Sequence, residues 1–328
     1  MTTSGFRYIY GPVNSRRLGR SLGVDLVPFK TCTYDCIYCQ LGHTTNKTCR
    51  RQEYVPIADI LGELQQKLAE GPPLDYITLG GSGEPTLNAR LGELLGQIKG
   101  LTRVPLAVLT NGSLLWRRVV QDALMEADLV LPSLDAGDEQ LFRYVNRPHR
   151  DITFDHMVYG LAEFTRRFPK SVWLEVLLLS GVTGIVTEVE KIAALARSIR
   201  PERVQLNTVS RPPSEEFACP VPRDQLEAFA KLFEGKAEVI SAANGEVTRS
   251  PQAHPATDAD ILALLSRRPC TVQGVSASLG LHVGEAAKRL QALADQGSVI
   301  AVRNNGGIFY EPLRTSAPEV IVGDKMNP

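Results

Sequence analysis

Between residues 20 and about 210, short apolar runs rich in β-branched residues alternate with longer segments of helical period. This alternation is typical of βα units and of a parallel sheet. It predicts six strands, at residues 22–27, 76–79, 106–109, 128–131, 172–179 and 203–206. The helices predicted between them include residues 57–70, 91–98, 117–126, 154–167 and 186–199. Six units are too few for a closed eight-stranded barrel, so we predict an α/β fold with a partial (β/α)6 TIM-like barrel, and a doubly wound open sheet as the alternative.

A smaller C-terminal unit is predicted beyond this region. The Pro-rich segment RPPSEEFACPVP is followed by a helix at residues 223–233 and an apolar run near Val239, and a second Pro-containing stretch, SPQAHPATD, comes after them. Helices are then predicted at residues 258–268, 272–279 and 283–296. The segment SVIAVRNNGGIFYEP predicts a hairpin, because two alternating strands flank a turn of residues that tolerate positive φ. Three helices and a hairpin predict a winged-helix module.

These boundaries divide the chain into five parts. They are a βα barrel over residues 1–215, its extension over 216–249, a linker over 250–256, a winged-helix-like domain over 257–314 and a tail over 315–328.

Composition and charge exclude several classes of protein. Lys and Arg number 36, as do Asp and Glu, so an anionic partner needs a local basic patch rather than a field of the whole chain. The N-terminal sequence MTTSGFRYIYGP lacks the regions of a secretory signal. The most apolar stretch, residues 172–179, is far shorter than the roughly 20 residues that span a bilayer. We therefore predict a cytoplasmic protein with no membrane partner.

Unusual loops follow the carboxyl ends of the predicted strands. The cysteine-rich segment follows residue 27, GGSGEP follows residue 79, TNGS follows residue 109, SLDA follows residue 131 and NTV follows residue 206. Parallel βα architectures gather their active-site residues at this end of the sheet. We expect these five loops to form one site.

The segment TCTYDCIYC carries the strongest chemical signal. Cys32 is followed by three residues and Cys36, and then by two residues and Cys39. Three thiolates in one loop can hold three irons of a cubane cluster and leave the fourth iron without a protein ligand. The alternative is a structural zinc site with Cys49 as the fourth ligand, since such sites are normally closed by four ligands.

This C-x3-C-x2-C spacing, with Tyr38 before its last cysteine, resembles the signature of the radical S-adenosylmethionine superfamily, and the resemblance covers residues 10 to 215. It implies a [4Fe–4S] cluster on Cys32, Cys36 and Cys39, with S-adenosylmethionine chelated to the fourth iron. It also implies that the reduced cluster cleaves the cofactor to a 5′-deoxyadenosyl radical, which abstracts hydrogen from a substrate. An electron donor such as flavodoxin or ferredoxin is implied as a partner.

The resemblance also implies cofactor-binding residues. Tyr38 is expected near the adenine, and GGSGEPTL resembles the superfamily's Gly-Gly-Glu element, with serine in place of one glycine. The polar residues of SLDA and TNGS occupy positions that other members use near the ribose or the methionine carboxylate. A plain turn or a helix cap is the alternative interpretation of each loop. The implied cofactor-binding set is Tyr38, Ser82, Gly83, Glu84, Pro85, Asn111, Ser133 and Asp135.

Three further residues are candidates for contact with the substrate: Glu175, Asn207 and Arg211. Glu175 lies inside an apolar strand, where an unpaired carboxylate is costly. It is a substrate ligand, a proton partner at the radical site or the partner of an arginine. Cys49, Cys219 and Cys270 are isolated in sequence and are interpreted as ordinary thiols.

The strings GPVNSRRLGRSLGVDLVPFK, SLDAGDEQLFRYVNRP and VQLNTVSRPP resemble a subgroup related to the wyosine-base synthases, Fe–S oxidoreductases that modify transfer RNA. This resemblance implies a tRNA or RNA base as substrate, and a peptide or small molecule is the alternative. The winged-helix domain is expected to bind RNA, a peptide or a protein. A hypothesis of another class is a zinc-binding, winged-helix regulator that binds DNA.

Overall fold

The structure, a computed structural model, describes residues 6–240, 256–304 and 307–313. The predicted linker 250–256, apart from its last residue, and the predicted tail 315–328 lie outside the described residues. So do the centre of the hairpin turn, residues 305–306, and residues 241–249 of the predicted extension.

The strands are, in chain order, β1 Ile9–Ser15, β2 Gly19–Val24, β3 Thr31–Cys32, β4 Asn46–Lys47, β5 Tyr76–Leu79, β6 Leu106–Thr110, β7 Leu129–Pro132, β8 Ser171–Leu178, β9 Arg203–Thr208, β10 Ala237–Val239, β11 Val299–Asn304 and β12 Gly307–Pro312. The helices are α1 Ile57–Ala69, α2 Leu91–Leu101, α3 Arg118–Leu124, α4 Glu139–Asn146, α5 Phe154–Arg167, α6 Val186–Ile199, α7 Arg223–Ala230, α8 Asp258–Leu265, α9 Val272–Leu279 and α10 Val283–Asp295. Short 3₁₀ turns occupy Pro85–Leu87 and Lys231–Phe233. Among the described residues, no helix has the length and apolar character needed to cross a bilayer.

Eight strands form one sheet, in the order β1-β2-β5-β6-β7-β8-β9-β10. β1 is antiparallel to β2, and every other neighbouring pair is parallel. The parallel strands follow one another in chain order, without the reversal that defines a doubly wound sheet. Within the described residues, β1 and β10 form the two edges of this sheet, and each is paired on one side only. This α/β architecture with a parallel sheet is consistent with the predicted partial barrel.

The central strands owe their position to continuous apolar sequence. β7 is buried along its whole length and β6 at four of its five residues, as expected for parallel strands covered on both faces. Helix α4, which was not predicted from the sequence, lies against the cysteine loop. Its first turn is capped by the Asp138 carboxylate, which accepts from the Leu141 N–H at 2.9 Å, and it buries Phe142 and Val145.

The C-terminal module, residues 257–313, consists of α8, α9, α10 and the β11–β12 hairpin, as predicted from the sequence. Thr257 and Asp260 form a capping box at the start of α8. The module's apolar core includes Ile261, Val275 and Leu290, and Val13 of β1 belongs to the same cluster. The module therefore packs against the antiparallel edge of the sheet. The predicted winged-helix assignment itself stays a prediction.

One ion pair joins the module to the sheet. Arg267 Nε donates to Asp25 Oδ2 at 2.8 Å, and the two side chains are only 11% and 7% exposed. The guanidinium also lies 4.3 Å from the centre of the Tyr10 ring. Asp25 Oδ1 accepts from the Ser82 N–H at 3.1 Å, so the same carboxylate contacts the GGSGEP loop.

We expect Arg267→Met to lower the free energy of unfolding by about 3 kcal/mol, because it leaves the buried Asp25 carboxylate without its cation. Arg143→Met is the matched control, since Arg143 forms an exposed pair with Glu139 and its loss should cost about 1 kcal/mol or less. Urea unfolding measures both. Equal effects of the two substitutions would contradict the importance of the buried pair.

Candidate active site

The three cysteines of the C-x3-C-x2-C motif follow the carboxyl end of β2 and line one cavity, which extends to Asp75 before β5 and to α8 and α9 of the C-terminal module. All three side chains are half-buried. The cysteine loop begins with β3, which pairs with β4. It also contains a turn in which the Cys39 N–H donates to the Cys36 carbonyl at 3.1 Å. The cavity has a volume of about 1580 Å³. The three cysteines of the motif thus border the same cavity.

Each of the three sulfur atoms has a side-chain N–H donor. Lys30 Nζ lies 3.3 Å from Cys39 Sγ. Asn111 Nδ2, from the TNGS loop, lies 3.5 Å from Cys32 Sγ, and Asn146 Nδ2, at the end of α4, lies 3.5 Å from Cys36 Sγ. Three separate parts of the chain therefore supply donors that stabilise thiolates.

Burial favours the protonated form of these thiols in the absence of a metal. It raises the pKa of Cys32 to about 12, with the negative charge of Glu84 adding to the effect, and it raises the pKa of Cys36 as well. A metal replaces such protons and compensates the charge of the thiolates. The described residues contain no group of three His, Cys, Asp or Glu side chains that could hold a single ion. A cubane cluster has a different ligand requirement, because each thiolate binds a separate iron. Three thiolates with N–H donors meet that requirement.

The GGSGEP loop lies backbone to backbone against the cysteine loop. The Lys30 N–H donates to the Ser82 carbonyl at 2.6 Å, and the Glu84 N–H donates to the Thr31 carbonyl at 3.1 Å. A Cβ atom on Gly83 would lie 2.0 Å from the Thr31 oxygen, so only glycine allows this approach. Ser82 and Gly83 line the cavity, whereas the side chain of Pro85 is buried in the 3₁₀ turn behind it.

Glu84 joins the GGSGEP and TNGS loops. Its Oε1 accepts from the Thr110 hydroxyl at 2.6 Å and from the Thr86 hydroxyl and N–H, while Oε2 accepts from the Asn111 N–H at 2.8 Å. The side chain is 2% exposed, and burial raises its pKa against the effect of these hydrogen bonds. Glu84 therefore holds the two loops, including Asn111, in place from behind the cavity wall.

Asp135 performs a similar task for the aromatic residue of the cysteine motif. Its Oδ2 accepts from Tyr38 Oη at 2.5 Å and from Asn146 Nδ2 at 3.0 Å, and its Oδ1 accepts from the Leu177 N–H at 3.0 Å. Tyr38 lines the cavity, while Asp135 is buried behind it. Ser133 forms an isolated β-bridge with Glu175 and does not line the cavity.

Asp135 gives a prediction for the pH dependence of stability. Burial raises its pKa to about 6 from an ordinary 3.8, although the Tyr38 and Asn146 hydrogen bonds oppose the shift. The native state then binds the proton more tightly than the unfolded state, so this stabilisation is present below about pH 4 and is lost as the pH rises through about 6. The free energy of unfolding of the wild type minus that of Asp135→Asn should fall by at most about 3 kcal/mol over this range.

Urea unfolding at several pH values measures this difference. Asp138→Asn is the control, because hydrogen bonding to the Leu141 N–H and to Lys191 lowers the pKa of Asp138, and its difference should change with the opposite sign. A difference between wild type and Asp135→Asn that does not vary with pH would contradict the prediction.

The substrate candidates Glu175, Asn207 and Arg211 all line the cavity. Glu175 has partners: Arg17 Nη1 lies 2.5 Å from one carboxylate oxygen and Asn207 Nδ2 lies 3.0 Å from the other. Burial alone would raise the pKa of Glu175, but Arg17 and Asn207 outweigh it, and the pKa lies below its ordinary value. Of the three interpretations of Glu175, the geometry therefore supports the one in which its carboxylate pairs with an arginine.

Three residues of the site were not predicted from the sequence: Lys30, Asn146 and Arg17. Lys30 precedes the first cysteine by two residues, but nothing in the sequence shows that its ammonium turns towards Cys39. Asn146 belongs to α4, which was not predicted. Of the other cysteines, Cys49 is buried in the main core, Cys219 is exposed and Cys270 lines the cavity.

Comparison with known proteins identifies a family. The model of the radical SAM superfamily matches residues 26–214. A protein named GTPase Obg from Brachyspira hyodysenteriae is 38% identical over 92% of this chain, which spans 45% of that protein. UPF0026 proteins of Methanocaldococcus jannaschii and Helicobacter pylori are 30% and 34% identical over 92% of this chain, which covers 94% and 96% of their lengths.

Solved structures show a similar fold. A radical SAM methyltransferase from Sphaerobacter thermophilus has a TM-score of 0.52 at 18% identity, and the match covers 67% of this chain and 65% of that one. SuiB of Streptococcus suis has a TM-score of 0.50 at 12% identity, with 72% of this chain and 53% of that chain covered.

Proposed function

The chain belongs to the radical S-adenosylmethionine superfamily, and on that premise we propose that Cys32, Cys36 and Cys39 bind the [4Fe–4S] cluster of a radical enzyme. At the level of the superfamily, the predicted enzyme class and its cofactors, a [4Fe–4S] cluster and S-adenosylmethionine, are confirmed. The observation that supports the ligand assignment is the convergence of three thiols on one cavity, each with its own N–H donor.

When bound, the two cofactors supply a radical that abstracts hydrogen from an otherwise unreactive C–H bond. The protein's own groups act on binding and orientation. Lys30, Asn111 and Asn146 donate to the sulfurs and stabilise their negative charge. In our proposal Tyr38, Ser82 and Gly83 contact S-adenosylmethionine, because they line the cavity. Of the remaining members of the predicted cofactor set, Glu84 and Asp135 hold these loops from behind, and Asn111 donates to Cys32. Pro85 and Ser133 do not line the cavity.

The size of the cavity supports a reaction between two bound molecules. Its volume of about 1580 Å³ exceeds the roughly 300–1,000 Å³ of a pocket for one small ligand. Glu175, Asn207 and Arg211 lie on its wall and are our proposed substrate contacts. The resemblance to wyosine-base synthases favours an RNA base as that substrate. The C-terminal module, as a winged helix, would then bind the rest of the RNA, and flavodoxin or ferredoxin would supply the electron.

Anaerobic reconstitution with iron and sulfide tests the cofactor assignment. We expect about four irons per chain. After reduction by dithionite, S-adenosylmethionine should be converted to 5′-deoxyadenosine and methionine, both measured by chromatography and mass spectrometry. Iron-free, colourless protein that holds one zinc would contradict the proposal and favour the zinc-binding regulator.

The RNA substrate needs a separate experiment. Nucleoside profiles of total RNA from a deletion strain and its parent should differ by at least one modified nucleoside. Identical profiles would exclude an RNA base and leave the cofactor chemistry intact, and a peptide or small molecule would then be the substrate.

A further inference from the structure

The wall of the active-site cavity is basic although the chain is neutral. Eight Lys and Arg residues line the cavity, against four Asp and Glu residues. All four acids have partners among the described residues. Glu70 pairs with Lys67, Asp75 accepts from the Arg20 N–H, Glu175 pairs with Arg17, and Asp260 accepts from Thr257 in the capping box. Eight positive and four negative side chains leave an excess of four positive charges on the wall, and one of these, Arg267, is paired with Asp25.

The excess is concentrated in three arginines from three elements. Arg16 lies in the turn between β1 and β2, Arg211 follows β9, and Arg268 follows α8 of the C-terminal module. Within the described residues, none of the three forms an ion pair, whereas Arg17 and Arg267 beside them are paired with Glu175 and Asp25. We refer to Arg16, Arg211 and Arg268 as the arginine cluster.

Neutral oxygens hold the guanidinium groups of the arginine cluster in place. Arg16 Nη2 donates to Ser210 Oγ at 3.3 Å, Arg211 Nη1 donates to Gln40 Oε1 at 3.0 Å, and Arg268 Nη2 donates to Ser278 Oγ at 2.8 Å. These bonds orient the groups without neutralising them. The Nε atom of Arg268 is buried and has no hydrogen-bond partner, an uncommon state for a polar atom and one that calls for an acceptor.

The three groups lie close together, because Arg16 donates to the side chain of Ser210, the residue before Arg211, and all three arginines line the same cavity. Their pKa values agree with this placement. Burial and then the charge of Arg268 lower the pKa of Arg211 to about 9, and Arg16 adds to the effect. Burial, Arg17 and Arg268 lower the pKa of Arg16. Like charges held together in a partly buried cleft are stabilised by a bound anion.

We propose that the arginine cluster binds a phosphate group of the substrate, at the boundary between the barrel and the C-terminal module. Arginine forks match phosphate oxygens by paired hydrogen bonds, and a phosphate can accept from several guanidinium groups at once. The inference rests on the proposed function, because it places this phosphate in the same cavity as the three cysteines. The shared chemistry is a phosphoester, carried either by a small metabolite or by RNA.

Binding to the reconstituted holoenzyme, with S-adenosylmethionine present in excess, tests the proposal. The probes are inorganic phosphate, uridine 5′-monophosphate, uridine and a short single-stranded RNA. We expect phosphate and the nucleotide to bind at low salt and uridine to bind far more weakly. Arg16→Gln and Arg268→Gln should each weaken phosphate binding on the order of tenfold. The exposed Arg150→Gln, which removes the same charge elsewhere, should leave it unchanged.

The remaining results separate the possible outcomes. RNA that binds much more tightly than the mononucleotide assigns the phosphate to a polynucleotide, and equal affinities assign it to a small molecule. Phosphate binding that is insensitive to Arg16→Gln and Arg268→Gln, or that excess S-adenosylmethionine abolishes, overturns the proposal. Iron content, measured on every sample, reports separately on the proposed function, since a wild type without iron refutes that function whatever phosphate does.

Discussion

Replacing Cys32, Cys36 and Cys39 together by alanine is expected to abolish both iron binding and cleavage of S-adenosylmethionine. The reason is that the three thiols are the cysteines of the motif that line the cavity together with the GGSGEP loop. Iron should fall from about four per chain to background, and the visible iron–sulfur absorption should disappear. Formation of 5′-deoxyadenosine should fall to the level of protein without a cluster.

Two single substitutions serve as controls for this experiment. Cys219→Ala changes an exposed thiol and should keep full iron content. Cys49→Ala tests the zinc alternative, because a zinc site with Cys49 as fourth ligand would lose its metal while a three-cysteine cluster would keep it. Unchanged iron and unchanged product in the triple variant would refute the ligand assignment.

Glu84→Ala is expected to destabilise the protein by about 3 kcal/mol or more, and to lower cofactor cleavage further than the loss of folded protein explains. The substitution leaves the buried Thr110 hydroxyl and the half-buried Asn111 N–H without their acceptor. It also frees the loop that carries the donor to Cys32. Because whole domains are stable by only about 5–15 kcal/mol, this is a large fraction of the total.

Urea unfolding and the yield of 5′-deoxyadenosine per iron measure the two effects. Glu84→Gln, which keeps the size of the side chain and one acceptor oxygen, should be less harmful than alanine. Glu190→Ala, on the exposed side of α6, should change stability by less than about 0.5 kcal/mol. If Glu84→Ala were as mild as Glu190→Ala, Glu84 would not be the link between the loops.

The elements that the sequence predicts well are those whose pattern is local. All six predicted parallel strands are present, because strands covered on both faces consist of continuous apolar runs. β1 was missed because its sequence, IYGPVNS, contains glycine and proline and has no clear alternation. α4 was missed although it is no shorter than α7, α8 and α9, which were predicted.

In the site, too, local motifs could be predicted and contacts between distant parts of the chain could not. The cysteine spacing and the GGSGEP loop could be predicted because each is a contiguous motif. The donors to the sulfurs could not, since the pairing of Asn146 with Cys36 spans 110 residues and that of Asn111 with Cys32 spans 79. Of the arginine cluster, only Arg211 was predicted. Arg16 and Arg268 were not, because the three arginines come together only when the C-terminal module packs on β1.

The carboxylate of Asp25 has a consequence for how ligands influence one another. One of its oxygens receives Arg267 of the C-terminal module, and the other receives the backbone of Ser82 beside the cysteines. If a ligand stabilises the contact of the module with the sheet, this shared carboxylate also stabilises the loop that is proposed to contact S-adenosylmethionine. Such coupling between two binding sites is reciprocal. Bound S-adenosylmethionine then raises the affinity of the protein for that ligand by the same factor. The total binding free energy of the two ligands is therefore the same whichever of them binds first.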